Sequence, residues 1–129
     1  MPALPLNTRF PLTPAARGPH PADADEAQLH LALDDGPGPR CAHLRARGEL
    51  EASTAHLLLD AVDGSVRRGR HDLELDLADV VFCDVRGIDA VLTARVRLRA
   101  AGGELHLQGV RPFLHHVLRV LHLDEVVAG

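Results

Sequence analysis

Phe82-Cys83-Asp84-Val85-Arg86-Gly87-Ile88 is the stretch on which the fold turns. An apolar, strand-like run ends on an aspartate, and Ile88, Val91 and Leu92 then recur at helical spacing. Aspartate is a favoured helix N-cap because its carboxylate accepts a hydrogen bond from an otherwise unpartnered amide of the first turn. A strand that passes through such a cap straight into a helix is a β-to-α junction, and repeated junctions of this kind mark an α/β domain.

Reading outward, the residues before the junction alternate, with Leu73, Leu75 and Leu77 against Asp72, Glu74 and Asp76. The helix after it runs to Ala101, where Gly102-Gly103 stops it. Leu105 and Leu107 against Glu104, His106 and Gln108 predict another strand. Pro112 opens a third helix with Leu114, Val117, Leu118 and Leu121 on one face, and Leu123 to Val127 form a short closing element. Upstream, Leu29, Leu31 and Leu33 alternate with His30 and Asp34, and Ala42, Leu44 and Ala46 with His43, Arg45 and Arg47. The intervening Asp34-Asp35-Gly36-Pro37-Gly38-Pro39 is turn chemistry, so the two strands are expected as a hairpin. Gly48-Glu49-Leu50-Glu51-Ala52-Ser53-Thr54 leads into a helix with Ala55, Leu58, Leu59, Val62 and Val66 inward, Ser53 or Thr54 as its cap and Gly69 at its end.

Each strand is apolar only on alternate residues, whereas a strand covered on both faces is apolar throughout. Helices are therefore expected on one face of the sheet. The reading is a two-layer α/β domain of about four strands and three helices, spanning residues 28–129. Residues 1–27 carry Pro2, Pro5, Pro11, Pro14, Pro19 and Pro21 with little periodicity and are expected as a flexible tail.

Composition removes several functions. All 14 basic residues are arginines, the net charge is -4, and the chain has neither tryptophan nor tyrosine, so the basic face and stacking platforms of a nucleic-acid binder are missing. With 2% aromatic residues the core has to be built from leucine, valine and alanine. Cys41 and Cys83 lack a CxxC spacing and are expected as buried free thiols. No apolar run reaches the ~18 residues of a membrane span, and a cytoplasmic location is expected. His115, His116 and His122 are grouped near the end, but His116 points about 100° away from the face shared by the other two, so no metal ligand set is expected. The acidic series Asp72, Glu74, Asp76 and Asp79 fits a solvated sheet face. No catalytic motif stands out, and neither an enzyme activity nor a cofactor is expected.

The succession from Leu29 to Val127 resembles the STAS domains of the anti-sigma-factor antagonist family. The likeness rests on Gly48-Glu49-Leu50 with Thr54-Ala55, on the turn from Asp84 to Ile88, and on Arg99-Ala100-Ala101-Gly102-Gly103-Glu104-Leu105. In that family the turn usually reads Asp-Ser-Ser-Gly-Leu, and a partner kinase that is also the anti-sigma factor phosphorylates the serine after the aspartate. The resemblance matches Asp84, Gly87 and Ile88 to the family residues but sets Val85 at the acceptor position and Arg86 at the second hydroxyl. It implies a docking protein for an anti-sigma factor or related regulatory serine kinase, without a phosphorylation site. The expected partner surface is Asp84, Val85, Arg86, Gly87, Ile88, Asp89, Thr93 and Arg97, flanked by Arg95 and Arg99. The resemblance also admits a subunit docked on the ATPase of a lipid or organic-anion ABC transporter. Homodimer formation is left open.

Overall fold

The computed structural model describes residues 9–11 and 28–127. Along the chain come β1 (Arg9–Pro11), β2 (Leu29–Asp35), β3 (Cys41–Leu50), α1 (Ala55–Arg67), β4 (Asp72–Asp84), α2 (Val85–Ala100), β5 (Glu104–Gln108), α3 (Pro112–Val120) and a 3-10 turn at Asp124–Val126. The four strands and three helices expected from periodicity are all present. The short β1 adds a fifth strand, pairing antiparallel with the end of β4 so that Phe10 opposes Cys83. It lies within the stretch expected as a flexible tail; the remainder of that stretch is outside the described residues.

The sheet is mixed. β2 and β3 form the expected antiparallel hairpin, while β3, β4 and β5 run parallel. β4 is the spine: β3 lies along one side, and β5 and β1 share the other, β5 against Asp72 to Asp76 and β1 against Phe82 to Asp84. Where Ala78 and Asp79 interrupt the alternation of β4, the β3–β4 register slips between Arg45 and Arg47 and again between Gly48 and Glu49. The slips accommodate an irregular segment without ending either strand.

One sheet face is covered. Leu44, Leu73, Leu75, Leu105 and Leu107 point inward and are fully buried against Leu58 and Val62 of α1, Val91, Ala94 and Leu98 of α2 and Leu114 and Leu118 of α3. Each such leucine contributes roughly 1.5–3 kcal/mol through loss of water contact. The opposite face is polar and ordered by register. One cross-strand row reads Asp34, His43, Glu74, His106, and the next reads Ala32, Arg45, Asp76, Gln108. Opposed charges on neighbouring strands are the favourable arrangement.

Candidate functional site

The β4–α2 junction brings the decisive residues together. Asp84 ends β4 in extended conformation, and its Oδ1 accepts a hydrogen bond from the Gly87 amide at 2.9 Å, the cap expected from sequence. Asp84, Gly87 and Ile88 are buried. Gly87 is required by close approach: a Cβ there would stand 2.3 Å from the Leu50 carbonyl oxygen and 2.9 Å from Cys83 Sγ. The first turn of α2 is thus wedged against the end of β3. Beneath it, burial, reinforced by the Asp84 charge, pushes the Cys83 thiol up to about 12. Cys83 therefore stays a neutral packing group, whereas Cys41 is half-buried.

On the outside of this wedge, Arg86 and Asp89 are exposed and Val85 and Thr93 half-buried. Arg86, Asp89, Ala90 and Thr93 of α2, with Ala52, Ala55 and Leu59 from the α1 side, line an open groove of about 120 Å³. The positions fall together because 86, 89, 93 and 97 stay within about 80° of one another on a 3.6-residue helix. Arg86 stands at the positive end of the helix dipole, an arrangement that costs roughly 0.3–1 kcal/mol when uncompensated. Among the described residues neither it nor Asp89 has an ion-pair partner. The groove therefore presents a cation and an anion, neither ion-paired among the described residues, beside apolar Ala52, Ala55, Leu59 and Ala90.

The other sequence-selected residues divide. Asp84, Gly87 and Ile88 build the turn from within. Arg97 lies on the same face as Arg86 but is tied to Asp63 of α1 at 2.8 Å, clamping the two helices. Arg95, expected to flank the surface, points the other way: it is buried and ion-paired with Glu125 and, at 3.8 Å, with Glu104. Arg99 bonds Glu104 at 3.1 Å on that same far side. Nine residues separate Arg86 from Arg95, a rotation of about 180°, so helix geometry alone separates them. Burial works to raise the pKa of Glu104, but the Leu105 amide, Arg99 and Arg95 outweigh it and hold the carboxyl below its ordinary value.

Thr54 corrects the expected cap. It occupies the N-cap position of α1 but makes no capping bond. Its hydroxyl donates to the Glu49 carbonyl at 2.7 Å and accepts from the Glu51 amide at 3.0 Å, pinning the turn that leads out of β3. Ser53 is exposed and donates to the Glu51 carboxylate. Sequence reading did not identify Ala52 and Leu59 as groove-lining residues, since apolar residues at helical spacing read equally well as core. His115, His116 and His122 are exposed, and among the described residues no group of three His, Cys, Asp or Glu side chains is placed to hold a metal. Among these residues no helix is long and apolar enough to cross a membrane.

The comparisons agree with this architecture. The family model described as "Mlab, STAS domain" matches residues 36–128, and the chain belongs to the STAS domain family. A search of curated proteins finds no significant match. Among solved structures, the anti-sigma factor antagonist SpoIIAA in its unphosphorylated form superposes with a TM-score of 0.64 at 18% identity, covering 77% of this chain and 86% of its own. The phosphorylated form of SpoIIAA, a Bacillus cell fate determinant, gives 0.64 and 18%, covering 77% and 89%. An anti-sigma factor antagonist from Mycobacterium paratuberculosis gives 0.64 at 19% identity, covering 78% and 83%. At such identities the likeness establishes a shared fold.

Proposed function

We propose that this protein is a constitutive docking partner of an anti-sigma factor or related regulatory serine kinase, a STAS antagonist without the phosphorylation switch. The supporting observation is the amino end of α2. It is rigidly capped by Asp84 and wedged on Gly87, and it offers Arg86, Asp89 and Thr93 beside a groove shared with α1, while Val85 has no hydroxyl to modify. The similar structures include anti-sigma factor antagonists, and the likeness of the turn from Asp84 to Ile88 to the family pattern implies that Val85 occupies the acceptor position. A phosphate at that position adds about -1.5 to -2 charge to a helix N-terminus and alters the surface a partner meets. Valine removes that option. Nearby hydroxyls are poor substitutes: Thr54 is buried and doubly bonded, and Thr93 is half-buried about two turns into α2. Control then rests on the abundance of the protein, and its location is the cytoplasm, where such kinases act.

The experiment is capture from the native cytoplasm with the wild-type chain and with Arg86→Glu, read by mass spectrometry. Because Arg86 is exposed, this variant leaves the turn intact. A serine kinase of the anti-sigma class retained by wild type and lost with Arg86→Glu is the expected result. The kinase should bind the Val85→Ser protein too, and release it on phosphorylation. Recovery of an ABC-transporter ATPase would instead assign the chain to a transporter, and recovery of neither would remove the docking reading.

A further inference from the structure

Among the described residues, the edge strand β2 is open on one side. Its inner side pairs with β3 over seven consecutive residues, from Leu29 opposite Gly48 to Asp35 opposite Ala42, without a register slip. Its outer side has no strand partner among the described residues, whereas the other edge of the sheet is lined by β5 and β1. Proteins normally protect such an edge with charged side chains, lysine above all, or with proline, a bulge or an inward-pointing charge. The central residues His30 to Asp34 carry no lysine, proline, bulge or inward-pointing charge, and their one carboxylate, Asp34, lies on the open face: Leu31 and Leu33 point inward and are half-buried, and Ala32 between them is exposed on the open face.

We propose that β2 is the pairing edge of a homodimer, two copies joining antiparallel about a two-fold axis at Ala32 to make one continuous sheet with both helical layers on the same side. The sequence of the strand is complementary to itself in that register. Leu31 meets Leu33 of the second copy on the helical side, and His30 meets the second copy's Asp34 on the open side, each contact occurring twice. At the ends, Asp35 is already held by Arg68 at 2.7 Å and Arg70 at 3.1 Å, so pairing centres on His30 to Asp34. Other symmetric registers lose this match. Centring on Leu31 sets His30 against Ala32, and centring on Leu33 sets Leu31 against Asp35.

Two further features fit the same occupant. In the single chain His30 lies opposite Arg47, two basic groups side by side, and both line a cleft of about 290 Å³ with Ala32, Arg45 and Asp79. A second copy brings Asp34 to that row and continues it into its own His43 and Glu74. On the helical side, Leu57 of α1 is an exposed large apolar residue. It is eleven residues from Arg68, or within about 20° on the helix, and Arg68 reaches Asp35 of β2. Leu57 thus lies on the side of α1 from which Arg68 reaches β2, the side a second copy joined at β2 would approach. None of the α2 docking residues takes part, so each dimer offers two docking sites.

The test is sedimentation equilibrium of the full chain from micromolar to near-millimolar concentration, with Ala32→Asp beside wild type and circular dichroism as the check on folding. Ala32→Asp sets two carboxylates against each other at the axis, yet gives Arg45 an acidic cross-strand neighbour within each copy. Wild type should dimerise, and the variant, equally well folded, should need at least about fivefold more protein to do so. His30→Asp and Asp34→His should each weaken the dimer, and an equimolar mixture of the two should restore it by pairing their exchanged charges. A wild-type monomer throughout would overturn the proposal, leaving the edge to residues 12–27 or to another protein. A dimer indifferent to Ala32→Asp would overturn it as well, because its interface would lie elsewhere.

Discussion

Two helical glycines should respond in opposite directions to the same substitution. In an open helix, Gly→Ala stabilises by roughly 0.5–1 kcal/mol, because alanine restricts the unfolded chain and favours the helix. Gly64 in α1 is such a site: an added Cβ meets nothing nearer than the Arg67 guanidinium at 3.7 Å. At Gly87 the added carbon would stand 2.3 Å from the Leu50 carbonyl oxygen and 3.0 Å from its carbon, both backbone atoms that no rotamer change can move. The first turn of α2 has to lift away from β3, at an overpacking cost of about 1–3 kcal/mol. Lifting it also stretches the 2.9 Å bond from the Gly87 amide to Asp84, a cap worth about 1 kcal/mol. After the helix-propensity gain is subtracted, Gly87→Ala should destabilise by about 2 kcal/mol, while Gly64→Ala stabilises by up to about 1. Urea unfolding followed by circular dichroism measures both, and for a domain near one hundred residues the melting temperatures should differ by roughly 12–20 °C. If Gly87→Ala were neutral or stabilising, the wedge of α2 against β3 would be refuted, and with it the physical reason for a glycine in this turn.

Cys83 and Cys41 should separate chemically. At mildly alkaline pH a thiol reagent should modify Cys41 readily and Cys83 only after denaturation, because a thiol held at about 12 has almost no thiolate; two fast-reacting thiols in the native protein would contradict its burial. Glu104 should contribute to acid sensitivity. Its folded pKa lies below the ordinary 4.5, so the unfolded chain binds the proton more readily; the stabilisation is present above the unfolded pKa and is lost as pH falls through the folded one. Stability against pH below about 4.5 should be flatter in Glu104→Gln than in wild type, and identical acid limbs would show that Arg99 and Arg95 do not hold this carboxylate in solution.

Local chemistry in the chain was enough to settle the elements and the junction that matters. Alternation in steps of two placed the four longer strands, apolar spacing of three and four placed the helices, and Asp84 announced its own cap, because each depends on neighbours a few residues away. One-sided alternation even specified a single helical layer. Beyond the β2–β3 hairpin, which its turn residues announced, pairing was not legible: periodicity says which face of β4 is inward but not that β3 and β5 flank it in parallel, nor that Arg9–Pro11 joins its far end, since those contacts close loops of tens of residues. The candidate site divides in the same way. Sequence spacing put Arg86, Asp89, Thr93 and Arg97 on one helical face, but only packing showed Arg97 spent on Asp63 and Arg95 buried with Glu125. Thr54 makes the distinction clearest. A hydroxyl before a helix reads as a cap, yet the tertiary fold turns it toward the Glu49 carbonyl and the Glu51 amide, backbone groups that the exit from β3 leaves in need of partners.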